Sequence, residues 1–69
     1  MPDKLANRLK DKRAELGLTQ AALAEAVDVT RKTVNTVENG IFIPSALLAL
    51  KLARALNCPV ETLFWLTDD

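Results

Sequence analysis

Five polar side chains stand out within the run Leu18 to Gly40, LTQAALAEAVDVTRKTVNTVENG. Lys32, Asn35, Thr36 and Asn39 recur at i, i+3, i+4 and i+7, which sets them in one stripe along a helix. Arg31 stands beside them at the start of that helix. Arginine donors match N7 and O6 of guanine, and an asparagine amide matches the edge of adenine. Thr33 and Thr36 can meet a phosphate or the methyl group of thymine. The bland alternative is a solvated surface face, but other faces of this chain mix Glu with Lys. Here the only nearby acid, Glu38, lies off the stripe. The pattern suits hydrogen bonding to base edges and phosphates in a DNA groove.

A stripe of this kind works only if other elements hold it. The pattern is helical throughout, with Gly and Pro at the joints and no five-residue window alternating like a strand. A first helix is expected from about Asp3 to Leu16, with Leu5, Leu9 and Leu16 on its inner face. Gly17 follows as a left-handed cap, with Leu18 as its apolar contact. Thr19 caps a second helix, Gln20 to about Val27, which turns Leu23, Ala24 and Val27 inward. The turn Asp28-Val29 is short, and Asp is one of the few residues that tolerate the left-handed region. Thr30 caps a third helix, Arg31 to Asn39, with Val34 and Val37 inward and Gly40 as its stop. Beyond the apolar loop Ile41 to Pro44, Ser45 caps a fourth helix that runs to about Leu56. Asn57 repeats the situation of Asp28, and a short fifth helix, roughly Val60 to Leu66, precedes an acidic tail.

Helices two and three have helix-turn-helix spacing. Any small bundle contains such a pair, so spacing alone does not decide. Gln20 opens the second helix, where free backbone amides and the positive dipole end suit a phosphate. Arg13 falls on the apolar face of the first helix, four residues after Leu9, and Glu38 borders the inner face of the third. A half-buried Arg beside a half-buried Glu implies an ion pair that clamps the two helices and fixes the angle of the third. That role is structural, not catalytic.

Composition bounds the remaining choices. The 69 residues make one small domain over 1–69, in which a single core is marginal. Nine basic and nine acidic residues balance to zero, so any DNA surface must be a local patch. One cysteine and no histidine leave no internal disulfide and no zinc site, and no metal or other cofactor is expected, which suits a cytoplasmic setting. Cys58 at a helix start has no base beside it, and there is no tyrosine, so an enzyme is not expected. No signal peptide or membrane span is visible, and no small-molecule ligand is evident.

The segments LGLTQAALAEAV, TRKTVNTVENG and IPS together resemble the phage-repressor (Cro-like, Xre-type) helix-turn-helix family. The resemblance runs from about Asn7 to Leu66. It implies an all-α, compact five-helix, lambda-repressor-like DNA-binding domain. It also implies a phosphate grip at Gln20, base reading by Arg31, Lys32, Asn35 and Thr36, a backbone contact at Asn39, and the Arg13–Glu38 clamp. Asp28 and Asn57 stand where the family usually has Gly, and Ala21 and Ala22 replace charged residues.

The C-terminal third, 45–66, is apolar on too many sides for one core. Leu47, Leu48, Leu50, Leu52 and Leu56 surround the fourth helix, and all three aromatics, Phe42, Phe64 and Trp65, lie nearby. A helix apolar most of the way round is buried on more than one side, and an exposed patch marks an interface. The expected interface of a homodimer is therefore Phe42, Leu47, Phe64, Trp65 and Leu66. Completion of the core is the simpler alternative. The full expectation is a homodimeric transcriptional regulator, a repressor in its simplest form, that binds double-stranded DNA sequence-specifically. Gln20, Thr30, Thr33 and Asn39 would hold phosphates. The second expectation is an antitoxin-like interaction protein whose apolar patch binds a partner, with DNA binding for autoregulation.

Overall fold

Three short hydroxyl side chains set three helix starts. Thr19, Thr30 and Ser45 accept hydrogen bonds from the backbone N–H groups of Ala22, Thr33 and Leu48 at 3.0, 3.2 and 3.1 Å. Each satisfies one of the donors that a helix leaves open at its start. The helices they open are α2 (Gln20–Ala26), α3 (Arg31–Glu38) and α4 (Ala46–Ala55). These lie within a computed structural model that describes residues 3–68. Among the described residues the remaining elements are β1 (Lys4–Asn7), α1 (Leu9–Glu15), α5 (Val60–Leu63) and β2 (Phe64–Thr67).

Helices α1 to α4 all stop by one device. The residue two beyond the last helical one takes positive φ: Gly17 at 68°, Asp28 at 62°, Gly40 at 72° and Asn57 at 55°. Its amide and the next one turn back onto helix carbonyls. At Gly17 the bonds run from Gly17 N to Ala14 O and from Leu18 N to Arg13 O, each 3.0 Å. Cys58 N likewise reaches Ala53 O at 3.1 Å. This is the paired-bond stop described for left-handed caps. Asp28 and Asn57 do the work of glycine, as expected of Asx residues.

The two strands correct the all-α expectation. β1 and β2 pair antiparallel, Lys4 with Thr67, Leu5 with Leu66, Ala6 with Trp65 and Asn7 with Phe64. The first helix therefore begins at Leu9 instead of Asp3, and the last ends at Leu63 instead of Leu66. The Leu5–Leu9–Leu16 spacing is misleading. Leu5 reaches the core from a strand, while Leu16 follows the last turn of α1 and is 50% exposed. Asn7 makes the break: its Oδ1 accepts from Leu9 N at 3.0 Å and so starts α1 from one residue further back than a usual cap. Arg8 N also leaves the helix pattern, donating to Leu63 O at 3.0 Å.

The core gathers one face from every element except the strands' outer side. Leu9, Leu23, Val27, Val34, Val37, Leu52, Leu56 and Leu63 are fully buried, and Ala24 lets α2 approach closely. Phe64 also belongs to this core, 8% exposed. That corrects its placement at an interface between subunits, because its ring is already used inside the chain. The reason is the pleat: Phe64 faces inward as the first residue of β2, and Trp65 is turned to the opposite side.

Candidate nucleic-acid interface

α3 is seated by Val34 and Val37 and turns its polar residues outward. Arg31, Lys32, Asn35 and Asn39 are exposed, and Thr33 and Thr36 are half-buried. Gln20, Thr30, Arg31, Lys32 and Asn35 line one open concavity between α2 and α3. The hydroxyls are organised. Thr30 Oγ1 and Thr33 Oγ1 share a hydrogen bond of 3.1 Å, and Thr36 Oγ1 donates to Thr33 O at 3.0 Å. Thr36 therefore presents its methyl group and oxygen lone pairs, with its proton already committed.

The clamp read from sequence is present. Arg13 Nε donates to Glu38 Oε2 at 2.7 Å, Nη2 to Oε1 at 3.3 Å, and Nη1 to Leu18 O at 2.9 Å. The two side chains are 15% and 4% exposed. The hydrogen bond to Glu38, aided by its charge and opposed by burial, makes the guanidinium hold its proton more tightly than usual. A forked pair of this kind fixes direction as well as distance. It ties α1 to the last turn of α3.

Two further side chains fix α3, and sequence reasoning missed the role of both. Asn7 Nδ2 donates to Val37 O at 3.1 Å, so one amide serves the start of α1 and the end of α3. Gln20 Nε2 donates to Glu38 Oε1 at 3.0 Å and to Asn35 Oδ1 at 3.2 Å. Both hydrogens of the Gln20 amide are thus directed into the protein, away from the phosphate that its place at the start of α2 suggests. Asn39 Nδ2 donates to Asn35 O at 2.8 Å and to Asn35 Oδ1 at 3.1 Å. Gln20, Asn35, Glu38 and Asn39 form one connected set. The only advance signal for it was their spacing across the two helices.

The remaining residues lie elsewhere. Leu47 and Leu66 are each 68% exposed, with Phe42, Ile41, Ile43 and Leu50 also open. Trp65 is partly covered by Arg8, whose guanidinium carbon sits 5.3 Å from the ring centre. Among the described residues no cluster could hold a metal ion, and no helix is long and apolar enough to cross a membrane.

Two capped helices crossing at a left-handed turn, with an ordered polar outer face on the second, define a helix-turn-helix domain. The helix-turn-helix family model matches residues 9–63, and the chain belongs to this family of DNA-binding transcriptional regulators. It is 43% identical over 65 residues to the uncharacterized HTH-type transcriptional regulator YgzD of Bacillus subtilis, covering 94% of this chain and 98% of that one. The restriction-modification controller protein C.AhdI from Aeromonas hydrophila superposes with a TM-score of 0.76 at 36% identity, covering 80% of each chain. The P22 c2 repressor, solved in complex with a synthetic operator, does so with a TM-score of 0.76 at 30% identity, covering 78% of this chain and 82% of that one.

Proposed function

We propose that the chain, one domain over 1–69, acts as a homodimer that occupies a pseudo-palindromic operator and represses transcription. The observation that carries this is the outer face of α3, where exposed Arg31, Lys32 and Asn35 share one concavity with Gln20 and Thr30. Arg31, Lys32, Asn35 and Thr36 read bases in the major groove. Thr30 and Thr33 flank them and hold phosphates, whereas Asn39, which the sequence suggests as a further phosphate contact, has its NH2 group engaged with Asn35 and positions that side chain instead. Gln20 contributes its backbone N–H at the start of α2, since its side-chain amide is engaged with Asn35 and Glu38. Arg13 and Glu38 set the angle at which α3 enters the groove. The operator complex of the P22 c2 repressor supports this reading.

Phe42, Leu47, Trp65 and Leu66 supply the interface, without Phe64. A two-fold axis would set two copies of α3 about 34 Å apart, one turn of duplex. Dimerisation also answers the zero net charge, because each half-site then needs few contacts.

Selection of bound duplexes from random DNA tests the assignment. The wild-type chain should enrich a two-fold site, and Arg31→Ala with Lys32→Ala should abolish that preference while the thermal midpoint stays put, both residues being exposed. Unchanged affinity of the double variant for the enriched site would remove α3 from the groove. Sedimentation of the purified chain reads the subunit number. A monomer that stays soluble only with a second protein would favour the antitoxin-like reading.

A further inference from the structure

The side-chain amide of Asn35 is held by one end. Its Oδ1 accepts from Gln20 Nε2 at 3.2 Å and from Asn39 Nδ2 at 3.1 Å. An amide oxygen has two lone pairs, and both are taken. Its Nδ2 donates to none of the described residues.

The oxygen and nitrogen of an amide have similar outlines, so their assignment must come from their partners. Here two independent anchors give the same answer. Glu38 is a carboxylate paired with Arg13 and accepts only, so the Gln20 atom 3.0 Å from its Oε1 is the NH2 group. That nitrogen also faces Asn35, so the Asn35 atom meeting it is the oxygen. Separately, the backbone carbonyl of Asn35 accepts only, so the Asn39 atom 2.8 Å from it is again the NH2 group. That group, too, meets the oxygen of Asn35.

We infer that Asn35 reads the major groove as a hydrogen-bond donor only, and that it selects guanine over adenine. The inference rests on the recognition role of α3 proposed above. Guanine presents two adjacent acceptors, N7 and O6, whereas adenine sets an N6 donor beside N7. The usual pairing of asparagine with adenine needs the side-chain oxygen, which is occupied here. Gln20 is then a positioning residue, which passes the fixed polarity of Glu38 into the orientation of Asn35. Arg31 and Lys32 are donors by nature. Three of the four base readers thus offer donors alone, which favours guanine-rich half-sites.

Selection from random duplexes with wild type, Asn35→Ala and the double variant Gln20→Ala/Asn39→Ala tests this. Wild type should enrich G·C at the one position in each half-site that Asn35→Ala relaxes. Replacing that guanine with 7-deazaguanine, which lacks N7, should weaken wild-type binding about tenfold and leave Asn35→Ala indifferent. The double variant, checked for fold by circular dichroism, should admit A·T at the same position, because the freed amide can turn its oxygen to the base. A merely structural loss would weaken all sequences alike and leave the preference as it was. Adenine at that position in wild type would overturn the inference. So would no position relaxed by Asn35→Ala, a 7-deaza duplex bound as tightly, or strict guanine kept by the double variant. Failure of wild type to enrich any sequence would instead overturn the recognition role itself.

Discussion

Thr30 opens α3 and Ser45 opens α4 by the same bond, a hydroxyl oxygen accepting from the N–H three residues on. Both helices close on a left-handed residue, Gly40 and Asn57. Both bury a short apolar set, Val34 and Val37 in one, Leu52 and Ala53 in the other. Their outer faces diverge. On α3 the exposed residues are polar, and Asn35 among them is tied to Gln20 and to Asn39. On α4 they are Leu47 and Leu50, next to Lys51 and Arg54. A tied polar face keeps its directions in water and can be read by a partner with matching donors and acceptors. An apolar face has no directions to keep and gains free energy only when covered. Two helices with the same ends thus present two kinds of face, directional donors and acceptors on α3 and apolar area on α4, which is the division of labour that the proposed homodimer on DNA would use.

The contrast can be broken most severely at the anchor of α3. Glu38→Ala strands Arg13 and frees Gln20, and should cost roughly 3–5 kcal/mol in urea unfolding, as for other buried pairs cut on one side. A loss below about 1 kcal/mol would reduce the clamp to a surface contact. On the α4 side, Leu47→Glu should weaken self-association by about 2 kcal/mol, read by sedimentation, because a charge would replace a central apolar contact. An unchanged dimer would move the interface away from α4. Smaller and more diagnostic is a matched pair of caps. Thr30→Ala and Ser45→Ala should each cost about 1 kcal/mol of stability, but only Thr30→Ala should also lower operator affinity. Smallest of all, Asn57→Gly should stabilise the fold by roughly 0.5 kcal/mol, since glycine takes positive φ without strain. Equal or lower stability would mean that the Asn57 side chain contributes something at the cap.

What could be read from the residues followed the range of the interactions. The caps at Thr19, Thr30 and Ser45 and the left-handed stops at Asp28 and Asn57 depend on neighbours within a few positions, and they were legible. The Arg13–Glu38 pair was legible despite its separation because a cation on an apolar stripe demands a partner. The strands were not. Lys4 to Asn7 is only four residues, and its partner lies at the far end of the chain. No local pattern reports such a pairing, and Leu5, Leu9 and Leu16 imitate a helix. Phe64 went astray for the same reason, because its inward direction depends on a strand that the pattern did not show. Within the site, residue types were visible, but the orientation of amides was not. Gln20 looks the same in sequence whether its NH2 group points to a phosphate or to Asn35.

The pairing of Lys4 with Thr67 also has a consequence in time. The helices close on local contacts, whereas this ladder must close nearly the whole chain into a loop, which is slow and entropically costly. A two-stranded ribbon is marginal by itself, so it should be the last unit to form and the first to open. Backbone amides of 4–7 and 64–67 should exchange with deuterium ahead of those in α2 to α4. Trp65 and Leu66 ride on this late strand. If the proposed homodimer buries Trp65 and Leu66, its formation should slow exchange at the ribbon, and the rate of strand opening would gauge assembly.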